Sequence, residues 1–129
     1  MQTLEQRRAA HAYQAILLAK SLKEEEKKKY GVHVKKLPSR IIASGLGQSL
    51  AFLAAKDFCP DLLRSLAHWC LTKQEHPGAE KLKVKSPNEL LISIVQGTSE
   101  DLRFHTAESL AYLQWLGRFA EAEGLKGQE

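Results

Sequence analysis

Residues 3–30 read TLEQRRAAHAYQAILLAKSLKEEEKKKY, and this stretch decides the fold class. It contains no glycine or proline, so nothing inside it interrupts a helix. Its apolar residues recur at steps of three and four, the period of one helix face: Leu4, Ala12, Ala15, Ile16, Ala19 and Leu22. The residues from Lys23 to Lys29 are almost all charged, and Gly31 is a stop signal. We predict one helix from Thr3 to about Tyr30.

Two prolines mark the starts of the second and third predicted helices. His33 to Pro38 is predicted to be a connector, with Pro38 at the opening of the second helix. The third helix follows Pro60 and ends at the His-Pro-Gly sequence of residues 76–78. The predicted apolar faces are Ile42, Leu46, Leu50 and Leu53 in the second helix, and Leu62, Leu63, Leu66, Trp69 and Cys70 in the third.

Cap signals place the last two helices. Residues 79–85 are predicted to be a loop, and Ser86-Pro87-Asn88-Glu89 has the pattern of a capping box for a fourth helix. Leu90, Leu91, Ile94 and Val95 form its predicted buried face. Thr98 and Asp101 cap a fifth helix that runs to about Glu123. The sequence therefore predicts an all-α fold, a compact single-domain bundle of about five helices with short connections over residues 1–129.

Positive charge is concentrated in the first third of the chain. The formal net charge is +4, but residues 1–40 alone carry ten Lys or Arg against four Glu, which gives +6. A localised basic surface attracts polyanions. The alternative is that a run rich in Lys and Glu is an ordinary solvated helix face.

No pattern of catalytic or metal-binding residues is present. The histidines and the two cysteines lack the spacing of a structural zinc site, so we predict no metal and no cofactor. Cys59 and Cys70 adjoin apolar residues and are predicted to be buried thiols, about three helical turns apart and unable to form a disulfide. No serine lies in a known nucleophile motif. We predict that the protein is not an enzyme.

Two further features are interpreted as packing. Gly45-Leu46-Gly47 lacks the lysine and the preceding strand of a phosphate-binding loop, so these glycines are predicted to allow close approach of a second backbone to a helix. The aromatic residues are predicted to be core rather than a base-stacking surface: Phe52, Trp69, Tyr112, Trp115 and Phe119.

The hydropathy pattern predicts a cytoplasmic protein. The first residues lack the apolar segment of a signal peptide. No apolar run approaches the roughly 20 residues that span a bilayer. Free cysteines agree with a reducing compartment.

Three sequence blocks resemble one protein family. Residues 37–52, LPSRIIASGLGQSLAF, resemble the central signature of the small subunit of Cmr-type (type III-B) CRISPR effector complexes. Residues 6–9, QRRA, resemble the N-terminal motif of that family, and residues 106–122, TAESLAYLQWLGRFAEA, resemble its C-terminal helix. The blocks occur in the family's order and span most of the chain.

The resemblance implies a non-catalytic subunit of an antiviral ribonucleoprotein. Members of the family stack in several copies beside the backbone subunits that hold the guide RNA, and their basic faces line the path of the target RNA. Such a face holds a strand through its phosphates, without reading its bases. The residues expected to contact RNA are Arg7, Arg8, Arg40, Lys56 and Arg118, which lie in or beside the motifs, and Lys35 and Lys36. We expect charge reversal at Arg8, Arg40 and Lys56 to leave the fold intact.

Two other functions stay open at this point. A generic helical adaptor would use the basic first third to bind an acidic protein partner, without RNA. A DNA-binding helical domain is disfavoured because no turn followed by a recognition helix is evident.

Overall fold

A computed structural model describes residues 1–72 and 86–125. The described residues form helices and connecting turns, with no strand among them, so the all-α prediction is confirmed. The predicted elements in residues 73–85 lie outside the described part of the chain. The helices are α1 (Leu4–Ala19), α2 (Glu24–Ser44), α3 (Leu46–Lys56), α4 (Pro60–Leu71), α5 (Glu89–Gln96) and α6 (Ser99–Ala122).

The predicted first helix is two helices, so the continuous helix from Thr3 to Tyr30 is wrong. A reciprocal capping box between Thr3 and Gln6 begins α1, which ends at Ala19. The chain then turns, and the backbone N–H of Leu22 donates to the Ala19 carbonyl. The three acidic residues Glu24, Glu25 and Glu26 occupy the first turn of α2. Acidic side chains stabilise a helix N-terminus, so this triplet was the overlooked signal for a new helix.

The predicted connector from His33 to Pro38 is also wrong, because α2 continues through both Gly31 and Pro38. Proline lacks the N–H that would bond to the carbonyl four residues earlier, which costs about 3 kcal/mol in a helix interior. Burial of one helix face offsets this cost, since each large apolar side chain contributes about 1.5–3 kcal/mol. That face consists of Tyr30, Val34, Leu37 and Ile41, at most 3% exposed.

Gly45 separates α2 from α3 because of its backbone conformation. Its φ of 88° and ψ of 159° lie in a region open essentially only to glycine. A Cβ atom built there meets nothing within 4 Å, and one at Gly47 meets Ile94 only at an ordinary 3.7 Å. The predicted close approach of backbones at these glycines is therefore wrong.

Replacing Gly45 with alanine is expected to destabilise the fold by about 1–3 kcal/mol, because alanine is strained in this conformation. Gly117→Ala is the matched control. Gly117 lies inside α6, and a Cβ atom built at this position also meets nothing within 4 Å. Alanine there should be neutral or stabilise the helix by up to about 1 kcal/mol. Urea unfolding of both variants measures the difference, and equal effects would contradict the conformational explanation.

The boundaries of the last two helices follow from their caps. The reciprocal capping box between Thr98 and Asp101 is present, as predicted. The capping box at Ser86 is not, because α5 begins at Glu89 and its N-cap, Asn88, makes no side-chain cap. Instead, the Ser86 hydroxyl accepts a hydrogen bond from the Asn88 N–H at 3.1 Å.

All six helices of the described residues contribute to one hydrophobic cluster, and α6 packs against α1, α2, α3 and α4. The predicted core residues Trp69 and Tyr112 are buried, and Trp115 and Phe119 pack at the margin. Four residues predicted to lie on an apolar face or in the core are exposed. Their exposed fractions are 77% for Ile42, 75% for Val95, 41% for Phe52 and 39% for Leu4. Ile42 faces outward because its neighbour Ile41 occupies the buried stripe of α2, and adjacent helical residues point about 100° apart.

Candidate nucleic-acid interface

The seven basic residues predicted to contact RNA lie in three different environments. Arg7 and Arg8 are on α1, where Arg7 is half-buried. Lys35 and Arg118 line a groove between α2 and α6. Lys36 and Arg40 lie elsewhere on α2, and Lys56 ends α3.

Arg8 forms a buried ion pair. Its side chain is 10% exposed, and its Nη2 lies 2.8 Å from Oε2 of Glu108, which is 12% exposed. Arg8 Nε also donates to Glu108 Oε1, and Arg8 Nη1 contacts Glu5. Burial lowers the pKa of Arg8, but the hydrogen bond and charge of Glu108 outweigh it and raise this pKa overall. Two carboxylates therefore already compensate the charge of Arg8, so charge reversal there cannot be expected to leave the fold intact.

The partner of Arg8 is itself held in a network. Glu108 Oε1 accepts a hydrogen bond from the Trp69 indole at 3.0 Å. Beside it, Nδ1 of His11 lies 2.7 Å from the Tyr112 hydroxyl, and Nε2 of His11 lies 2.8 Å from Nδ1 of His68. These contacts join α1, α4 and α6, so the N-terminal and C-terminal motif blocks meet in a polar part of the packing.

Lys35 and Arg118 are brought together although they are far apart in sequence. The groove they line has a volume of about 540 Å³ and includes the apolar side chains of Val34 and Leu113. Neither cation forms a hydrogen bond or ion pair within residues 1–72 and 86–125. Glu121 also lines the groove and reduces its positive charge.

Three cations and one histidine form a line along another face of α2. Lys29, His33, Lys36 and Arg40 follow one another at steps of four, three and four, which places them on one side of the helix. Lys29 and Lys36 are exposed. His33 is buried, and its pKa is lowered by burial and by the charges of Arg40, Lys36 and Lys29. We call Lys29, Lys36 and Arg40, together with Lys56 of α3, the basic stripe.

Arg40 is fixed by contacts on two sides. Its Nη1 lies 3.1 Å from Nδ1 of His33, and its guanidinium carbon lies 4.8 Å from the ring centroid of Phe52. Arginine has only donors, so Nδ1 of His33 accepts and the imidazole is neutral. His33 in turn stacks on Phe58, with ring centroids 4.6 Å apart and an interplanar angle of 13°.

Phe52 is the member of this site whose environment was predicted wrongly. It was predicted to be core, yet it is 41% exposed and Arg40 covers one side of its ring. Lys56 follows Phe52 by one helical turn, so the sequence alone places a lysine beside this ring. The alignment of Lys29, Lys36 and Arg40 was not predicted, because residues 33–38 were predicted to be a connector and not part of a helix.

The described residues contain neither a metal-holding cluster nor a reactive cysteine. Within residues 1–72 and 86–125, no three His, Cys, Asp or Glu side chains are placed to hold a metal ion. Cys59 and Cys70 are buried and free, and burial raises the pKa of each thiol to about 12. Thiols with such pKa values are unreactive at neutral pH. Among the helices of this part of the chain, none is long and apolar enough to cross a membrane.

Comparison with known protein families agrees with the resemblance of the three sequence blocks. The family described as CRISPR-associated protein (Cas_Cmr5) matches residues 4–123. The match covers all six helices and includes every residue of the basic stripe. The chain therefore belongs to the Cas_Cmr5 family of CRISPR-associated proteins.

Proposed function

We propose that this chain is a non-catalytic subunit of a CRISPR RNA-guided Cmr (type III-B) effector complex in the cytoplasm, and that it helps to hold target RNA through its basic stripe. In this proposal it stacks in several copies beside the other Cmr subunits and the guide RNA. Family membership supports the place in the complex. The observation that carries the RNA contact is the alignment of Lys29, Lys36 and Arg40 on one side of α2. Lys56 follows Phe52, the ring that Arg40 covers, by one turn of α3.

The stripe has the charge and length for a nucleic acid strand. Its four cations form no ion pair with another residue of the described ranges, so their charge is available to phosphates. By contrast, Lys27 and Lys20 are paired with Glu24 and Glu123. From Lys29 to Arg40 the helix rises about 16 Å. A stacked strand covers that length in about five nucleotides.

Neutralising the exposed lysines of the stripe should weaken RNA binding and reduce its salt dependence. We expect Lys29→Gln with Lys36→Gln and Lys56→Gln to lower affinity on the order of tenfold at 0.15 M salt, and to reduce the salt slope by about 2, because each phosphate contact on a single strand contributes about 0.7. Titration of a labelled single-stranded RNA against the full chain, and of target RNA against the reconstituted complex, measures both effects.

The matched control removes three positive charges elsewhere. Lys23, Lys28 and Arg103 are exposed and lie outside the stripe. The Lys23→Gln, Lys28→Gln, Arg103→Gln variant should bind RNA nearly as the parent does. If both triple variants bind like the parent, the RNA contact is not made by the stripe. If the control loses as much affinity, only net charge matters.

The groove between α2 and α6 supports the adaptor function as a second candidate. Its apolar walls, with Lys35 and Arg118 unpaired in the described structure, suit an acidic segment of a partner protein with one or two apolar side chains. Lys35→Glu with Arg118→Glu separates the two functions. It should impair assembly with other subunits if the groove binds protein, and leave assembly unchanged if the groove is unused.

A further inference from the structure

The Arg40–Phe52 pair is placed for more than phosphate binding. The Arg40 guanidinium lies over one face of the Phe52 ring, and Phe52 is 41% exposed to solvent. Around it are Lys56 and Gln48, each one helical turn away on α3. An exposed aromatic ring among cations is the usual element of single-stranded nucleic acid binding.

The pair is also held in position by its neighbours. Arg40 is anchored by His33, which is fixed by stacking on Phe58. Phe58 meets Phe52 edge to face, with centroids 6.1 Å apart and an interplanar angle of 61°. Both flat groups are thus oriented by contacts within the protein. A ligand that stacks on them has to immobilise little further side-chain motion, which favours affinity.

We infer that Phe52 and Arg40 form a stacking platform for one unpaired nucleobase of the RNA strand that the basic stripe holds, an inference that rests on the proposed function. The base stacks on the open side of the pair while its flanking phosphates contact Lys36 and Lys56. Stacking tolerates any base, because every base has a π face. The platform therefore adds affinity without adding sequence preference.

The combination of cations with an exposed aromatic ring favours a nucleic acid over an acidic peptide. Asp57, which directly follows Lys56 in the sequence, reduces the positive charge at this end of the stripe but leaves its cations in excess. A ligand that satisfies both the cations and an exposed aromatic pair has repeated negative charge together with flat rings. A nucleic acid strand has both features at every residue, whereas an acidic peptide presents flat rings only where it carries an aromatic side chain.

Phe52→Leu tests the platform without changing any charge. We expect the full-length variant to bind a single-stranded oligoribonucleotide containing 2-aminopurine about 5- to 150-fold more weakly than the parent, as the loss of one stacked base implies. The salt slope should be unchanged, because no phosphate contact is lost. Quenching of 2-aminopurine fluorescence by the parent should be largely lost. Binding to a blunt RNA duplex, whose bases are unavailable, should be the same for both proteins.

Two further variants control for folding and for apolar exposure. Phe52→Tyr keeps the flat ring and should retain parental binding and quenching. Val95→Ala shortens another exposed apolar side chain, on α5, and should have no effect on RNA. Urea unfolding of Phe52→Leu shows whether its folded population is intact at the assay temperature.

The outcomes separate this inference from the proposed function. If Phe52→Leu binds and quenches like the parent while the triple lysine variant is weakened, the platform is wrong and the stripe stands. If neither variant differs from the parent, both proposals fall. If Phe52→Leu binds RNA normally but has lost either assembly with other subunits or binding to an acidic peptide, Arg40 and Phe52 form a protein contact. That result overturns the inference.

Discussion

Replacing Arg8 with alanine is expected to lower the free energy of unfolding by about 3 kcal/mol, because it leaves a largely buried carboxylate without its partner. Arg8 and Glu108 are 10% and 12% exposed, so water compensates Glu108 poorly once the guanidinium is gone. Charge reversal should be worse. In Arg8→Glu a third carboxylate would join Glu5 and Glu108, and we expect this variant to be largely unfolded.

Arg64→Ala is the matched control for Arg8→Ala. Arg64 pairs with Asp61 at 3.3 Å, but both side chains are 48% exposed, and pairs of this kind contribute about 0–1 kcal/mol. A second test is Arg8→Met with Glu108→Gln, which removes both charges and keeps an acceptor for the Trp69 indole. This double variant should be more stable than Arg8→Met alone. Urea unfolding at pH 7 of the parent and of all five variants measures these differences. An effect at Arg8 no larger than that at Arg64 would contradict the structural role.

The role of Arg8 could not be predicted from the motif that contains it. The resemblance placed this arginine in a motif, but a motif does not distinguish a residue that binds a ligand from one that holds two helices together. The deciding fact is the position of Glu108, on another helix and in another motif block. The sequence offers no local signal for that contact, because the pairing is made by tertiary packing.

The helices themselves were predictable to different degrees for physical reasons. The Thr98 cap was predicted correctly because its signal is local, a side chain and a backbone N–H three residues apart. Gly31 and Pro38 led to a wrong prediction of a helix end and a connector. Their local cost in helix stability is outweighed by burial of one face of α2, which is a tertiary effect. Gly45 was predicted to allow close packing of two backbones, but its role depends on φ and ψ angles that the sequence does not state.

Part of the candidate interface was not predicted, again because it depends on tertiary packing and not on local sequence signals. Lys36 and Arg40 were predicted individually, yet their alignment with Lys29 exists only if the segment between them is helical. Phe52 was predicted to be core because aromatic residues at helical spacing usually are. Its exposure depends on how α3 turns after Gly45, which brings Phe52 beside Arg40 instead of into the cluster.

The protein is expected to lose stability as the pH falls from 7 to 5, mainly because of His11. Burial lowers the pKa of His11 to about 4, with a further contribution from His68. One neutral arrangement satisfies both ring nitrogens. Tyr112 donates to Nδ1 of His11, and Nε2–H of His11 donates to Nδ1 of His68. A proton on Nδ1 would remove the acceptor for Tyr112 and place a charge in a largely buried site.

The sign follows from proton binding. In the unfolded chain histidine has a pKa of about 6.5, so between pH 6.5 and about 4 the unfolded state binds more protons than the folded state. The contribution of His11 to the free energy of unfolding therefore increases with pH across this window. It is fully present above pH 6.5 and absent below about pH 4. Burial also lowers the pKa values of His33 and His105, so they contribute in the same direction. For His11 alone the loss is about 2 kcal/mol between pH 7 and 5, and about 3 kcal/mol in full.

His11→Gln isolates this contribution. A glutamine side chain can accept from Tyr112 and donate to His68, but it does not titrate. Its free energy of unfolding should depend on pH between 7 and 5 by about 2 kcal/mol less than that of the parent. Urea unfolding at half-unit pH steps measures the two curves. The comparison stops at pH 5, because carboxylates begin to protonate below it and destabilise both proteins. A parent whose stability is equal at pH 7 and pH 5, or a variant with the slope of the parent, would show that His11 is not the titrating group.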